Sequence, residues 1–83
     1  MTHVLKCWSQ SFYAIAAGSK THEWRLNDRD YKVGDRLDLR DWDPETETFS
    51  GRSLVALVTY CTYGPIFGIP EGYVVMSIRR IEP

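Results

Sequence analysis

Residues 18–27 read Gly18-Ser19-Lys20-Thr21-His22-Glu23-Trp24-Arg25-Leu26-Asn27. A glycine at this place ends a preceding helix, because it takes the left-handed conformation of a C′ position without strain. The residues after it alternate. Thr21, Glu23, Arg25 and Asn27 fall on one face, and His22, Trp24 and Leu26 on the other. Period two identifies a half-buried strand. The segment is therefore a helix-to-strand junction, and the densest polar chemistry in the chain runs from Lys20 to Arg29.

Upstream, Phe12, Ile15 and Ala16 recur at i, i+3 and i+4, one apolar stripe of a short helix. Ser9 or Ser11 is placed to cap it, since a serine hydroxyl accepts an orphan helix N–H. His3 to Trp8 reads as a first strand. Downstream, Asn27 to Lys32 is a charged loop and Val33-Gly34-Asp35 a turn. Arg36 to Trp42 alternates, with Leu37 and Leu39 facing in. Asp43-Pro44-Glu45-Thr46 opens a turn that Ser50-Gly51 ends. Arg52 to Tyr63 is the longest β run, rich in β-branched and aromatic residues. Three glycines and two prolines make 64–72 a loop. Tyr73 to Ile81 is a last strand with Val74, Met76 and Ile78 on one face. The predicted order is β-α-β-β-β-β: a β-rich α+β domain of about five strands, with one short helix after the first. At 83 residues the chain holds one domain, 1–83. A strongly curved sheet or small barrel is the economical way to protect its edges.

Hydrophobic residues make up 43% of the chain, enough for one core. The formal net charge of −1 supplies no overall field for non-specific duplex binding. Its distribution is uneven. Residues 37–51 carry Asp38, Asp41, Asp43, Glu45 and Glu47 against Arg40 alone, and Asp41 to Glu47 reads as a solvated hairpin. Residues 20–36 are mixed and dense in both signs, which suits a small directional site. Cys7 and Cys61 are too few for a disulfide framework and read as thiols in a reducing compartment. With His3 and His22 they lack the ligand-pair spacing of a zinc site, so no metal and no cofactor is expected. No signal peptide or membrane-length apolar run is visible, and a cytoplasmic location is expected.

The pattern Gly18-x-Lys20-x-x-Glu23-x-Arg25, after a short helix, resembles the signature of the ASCH domains, which belong to the PUA-like superfamily of small β-barrels. His3-x-Leu5-Lys6, Asn27-Asp28-Arg29-Asp30, Val33-Gly34-Asp35, Trp42-Asp43-Pro44-Glu45-Thr46, Ser50-Gly51-Arg52 and Gly72-Tyr73-Val74-Val75-Met76-Ser77-Ile78 look like the DUF3850 group, short ASCH-like proteins common in phages and bacteria. The resemblance implies a PUA-like barrel with a cleft beside the helix that takes RNA or a modified nucleoside. Some relatives are enzymes. One branch removes the acetyl group of N4-acetylcytidine, with a lysine corresponding to Lys20, a threonine where this chain has Glu23, and a glutamate in a later loop that here offers only Glu71. Another branch is linked to RNA cleavage.

Three functions are compatible with these residues. The first is a binding module for RNA or a modified nucleoside. A carboxylate and a guanidinium two residues apart accept and donate in one plane, which suits a base edge. They can equally brace each other. Lys20, Glu23 and Arg25 are the central candidates. Lys6 lines the cleft if the first two strands are neighbours, and Arg29 can reach a phosphate or pair with Asp28 or Asp30. Trp8, Trp24 and Tyr73 can stack a base, although at least two of the three are expected in the core. Lys20 joins this site only if the strand begins after it, because strict alternation points it away from Glu23 and Arg25. The second function is a small hydrolase, amidohydrolase or ribonuclease, with Lys20 and Glu23 catalytic. The third is a phage protein that binds a host protein through the acidic hairpin and the Pro65–Pro70 loop. Oligomeric state, monomer or weak dimer, is left open by the sequence.

Overall fold

The computed structural model describes residues 1–82. Five strands and one helix occur in the order β1 Thr2–Trp8, α1 Ser9–Ala16, β2 His22–Leu26, β3 Arg36–Asp43, β4 Thr48–Tyr63 and β5 Tyr73–Glu82. The strands make one sheet, in the spatial order β1-β3-β4-β5-β2. β1 and β3 run parallel, and every other pair is antiparallel. Register breaks bend the sheet, between Arg40 and Trp42 on β3 and between Val58 and Tyr60 on β4. Such bulges increase local twist. The result is a half-barrel whose two edges, β1 and β2, are not paired through their backbones.

The concave face holds the core. Leu5 and Cys7 of β1, Leu37 and Leu39 of β3, Leu54, Ala56 and Val58 of β4, and Val74, Met76 and Ile78 of β5 are all buried. Phe12 and Ile15 of α1 close over them, as the helical stripe predicts. Gly18 ends α1 as expected, at φ 83°, and its N–H donates to the Ile15 carbonyl. The serines, however, do not cap the helix. Trp8 holds the N-cap position without a side-chain hydrogen bond, while the Ser9 hydroxyl donates to Asp41.

Three further expectations change. β4 begins at Thr48 rather than Arg52, because Gly51, at φ 93°, is absorbed as a bulge within the strand. The hairpin between β3 and β4 is solvated at Glu45 and Glu47, but Asp41 is buried and accepts from both Ser9 and Ser50. Its carboxyl is held below the ordinary value: burial pushes it up, and the Ser9 and Ser50 hydroxyls, with Tyr13 and the charge of Arg52, outweigh that. Finally, Trp8, Trp24 and Tyr73 are none of them core residues. β2 buries Glu23 where its neighbouring strands bury Leu, Val and Met, and turns Trp24 and Leu26 outward. The reason lies in its position at the edge of the half-barrel, where the concave side meets a cleft instead of the core.

Candidate functional site

The cleft lies along the seam between β1 and β2 and encloses about 480 Å³. Two arginines bridge it. Arg25 Nη2 donates to the Lys6 carbonyl at 2.9 Å, and Arg29 Nη1 to the Val4 carbonyl at 3.1 Å. Val4 and Lys6 are two apart on β1, so these carbonyls point from the same strand edge. A closed barrel would satisfy them with backbone N–H groups. Here guanidinium side chains do so, and the space between the strands stays open.

Lys20, Glu23 and Arg25 converge. β2 starts at His22, so Lys20 lies before the strand and escapes its alternation. That start resolves the geometric conflict in the sequence. Arg25 Nε donates to Glu23 Oε2 at 2.7 Å, and Lys20 Nζ stands 3.6 Å from Glu23 Oε1. Glu23 is only 4% exposed, whereas both cations keep an opening to solvent. A buried carboxylate without partners costs several kcal/mol, and two cations offset that cost. The pair is structural in this sense, but it also lines the cleft. Bracing and presenting are compatible here because the guanidinium is shared among Glu23, the Lys6 carbonyl and the cleft.

Lys6, Trp8 and Arg29 line the same cleft. Tyr73 does not. It sits on β5 opposite Leu26, outside the cleft lining. Trp24, weighed for the core, is 54% exposed and lines the cleft, while Trp8 is 60% exposed. Lys6, Lys20, Arg25 and Arg29 face Glu23 and Asp28, four cations against two carboxylates. The cleft is thus cationic in a chain whose net charge is −1.

Ser11 is the residue that sequence patterning missed. It lines the cleft, and its Oγ accepts from Lys20 Nζ at 2.7 Å. Its role as a cap candidate hid it. The one signal in the sequence was its place in the first turn of the helix, on the side that the Gly18 turn folds Lys20 back against. Cys7 also lines the cleft, at its floor. Its thiol is pushed up to about 11, first by burial and then by the negative charge of Glu23. A thiol so placed stays protonated near neutrality and is no nucleophile. Glu71 is exposed and stands outside the cleft lining, so it does not complete a Lys-carboxylate set with Lys20.

The histidines serve elsewhere. His3 is buried, with Nε2 2.9 Å from Asp35 Oδ2 and an edge-on contact with Tyr31. His22 is exposed. Among the described residues, no three His, Cys, Asp or Glu side chains gather as a metal site, and no helix is long and apolar enough to cross a membrane.

No curated protein matches the chain. One family model does, over residues 2–78, and it is described as Domain of unknown function (DUF3850). Since that match takes in the first four strands, the helix, most of β5 and the residues of the cleft, the chain belongs to the DUF3850 family.

Proposed function

We propose that the seam cleft binds a nucleobase and its phosphate, as an RNA- or modified-nucleoside-binding module of the ASCH type within the PUA-like superfamily. One observation carries this reading: an open cleft that combines a cation surplus, a hydrogen-bonded donor–acceptor pair and two exposed indoles. Each part has a chemical task. Glu23 and Arg25 offer an acceptor and donors for a base edge. Trp8 and Trp24 offer π-faces for stacking, worth roughly 1–3 kcal/mol per base. Lys6, Lys20 and Arg29 meet a phosphate. The half-barrel order with a helix after β1, and the Gly18-x-Lys20-x-x-Glu23-x-Arg25 motif at the cleft, support the ASCH assignment.

The contact between Lys20 and Ser11 favours a second reading, a small hydrolase in which a serine hydroxyl attacks an amide or ester. Lys20 also forms half of an ion pair with Glu23. That pairing holds the Lys20 amine against Glu23, whereas a general base must be free to accept the serine proton. Binding is therefore the better supported function.

Titration with nucleosides, nucleotides and short single-stranded RNA at low salt, read by indole emission, tests the proposal. Wild type responds to at least one ligand class, and Arg25→Ala weakens the response about tenfold or more. Silence towards every ligand would overturn the binding reading. Release of acetate or cleaved RNA that disappears in Lys20→Ala and in Ser11→Ala would replace it with the hydrolase.

A further inference from the structure

A second cleft, about 420 Å³, lies on the convex face of the half-barrel, on the other side of β1 from the first. The two share Leu5, Lys6 and Arg29. Strand register builds its floor. Lys6 pairs with Arg40, which pairs with Ser53, in one row across β1, β3 and β4. The next row is aromatic throughout, Trp8 beside Trp42 beside Phe49, and of these Phe49 lines the cleft. Lys6 Nζ stands 4.3 Å above the Trp42 ring, and Phe49 is 56% exposed at the far end. The side chains lining this cleft include Lys6, Arg29, Arg40 and Arg52 and no carboxylate. Asp38 beside it takes Arg40 in a two-pronged pair, and Arg52 donates to the Tyr13 hydroxyl. Both arginines are exposed and so keep part of their charge for a ligand.

This is a row of cations laid beside a row of rings, continuous with the seam through Lys6, Arg29 and Trp8. We infer that the two clefts form one track for a single-stranded polynucleotide, in which a nucleotide seated in the seam passes its backbone over β1 and its neighbour stacks on the exposed Phe49 ring. Charge complementarity selects this occupant. A continuous polyanion with a flat group at each repeat matches cations laid beside rings, and such platforms bind single strands with little sequence preference. An apolar protein surface would leave the shared cations unpaired. The acidic residues Glu45 and Glu47 of the hairpin beyond Phe49 bound the track at that end.

The inference rests on the proposed seam site, and one experiment separates the two. Affinities are measured for RNA and DNA homopolymers of one, two, four and eight nucleotides, using wild type, Lys20→Ala/Arg25→Ala and Arg40→Ala/Phe49→Ala. The track predicts that wild-type affinity rises at least tenfold between one nucleotide and four. Arg40→Ala/Phe49→Ala removes that increment, lowers the salt slope by about 0.7 for each phosphate no longer neutralised, and leaves the mononucleotide affinity unchanged. Lys20→Ala/Arg25→Ala loses affinity at every length. Mononucleotide binding with no increment, or an increment untouched by Arg40→Ala/Phe49→Ala, overturns the track and leaves the seam site standing. Binding lost only through Arg40→Ala/Phe49→Ala overturns the seam as the anchor. No binding at any length overturns both. Equal results with RNA and DNA identify the shared phosphate-and-base chemistry as what is read, while a preference for RNA adds the ribose hydroxyl.

Discussion

Glu23 concentrates the physics of this protein in one side chain. It occupies a core-facing position of a strand, yet it is a carboxylate with an ammonium at 3.6 Å and a guanidinium at 2.7 Å. Removing one cation leaves the charge buried with less compensation. Arg25→Ala is expected to cost up to about 3 kcal/mol in urea unfolding, the low end for a broken buried pair because Arg25 is partly solvated. Glu23→Gln should cost less, since the amide still accepts from Arg25. Asp41 gives a pH signature. Its folded value lies below the ordinary 3.8, so it stabilises the fold fully above that value, and the contribution is lost as pH falls through the folded value. Asp35 behaves alike: burial opposes, but hydrogen bonds from His3 and the Lys32 N–H win. Urea midpoints should therefore drop as pH falls below about 4, and Asp41→Asn should flatten that acid limb while lowering stability near neutrality. Both carboxylates were visible in the sequence only as charges. Their hydrogen-bond partners lie up to 34 positions away, beyond any local pattern.

At the scale of elements, β3 and β5 were legible because strict alternation has one meaning when one face is buried: Leu37, Leu39, Val74, Met76 and Ile78 all face in. The helix was legible from its stripe and from Gly18. β2 was legible as a strand but not in its facing. Its apolar residues, Trp24 and Leu26, point out with His22, while Glu23 and Arg25 point in. Patterning rules assume a core on the concave side, and at an edge strand beside a cleft that assumption fails. A local rule broken without loss of fold is the expected mark of a functional site. The two bridging arginines supply an element-level test. Arg29→Ala frees the Val4 carbonyl, so amide exchange should quicken along β1 and β2, while the paired interior of β3 and β4 keeps its protection. Uniform acceleration across the sheet would assign Arg29 to global stability instead. The loop before β5 offers another. A Cβ on Gly64 would fall 1.9 Å from the Pro70 carbonyl oxygen, so Gly64→Ala should destabilise by about 2 kcal/mol, within the usual range for overpacking.

The whole molecule is a sheet that curves almost to a barrel and stops. Closure through the backbone would satisfy β1 and β2 and fill the space between them. Stopping short leaves two strand edges facing one another, and side chains rather than peptide groups complete the seam. That choice makes the seam cleft and sets its charge, positive within a chain of net charge −1. Binding of an anion there should weaken steeply with salt, while fold stability, which rests on the apolar concave face, should change little. The decisive measurement is the affinity of the wild-type protein for a short single-stranded RNA at low salt, read through its exposed indoles and repeated with Lys20→Ala/Arg25→Ala. Saturable quenching in the wild type, lost in the variant while the fold is retained, is the predicted result. A wild type that leaves its indole emission unchanged at every RNA concentration, or a variant that binds as tightly as wild type, would contradict it.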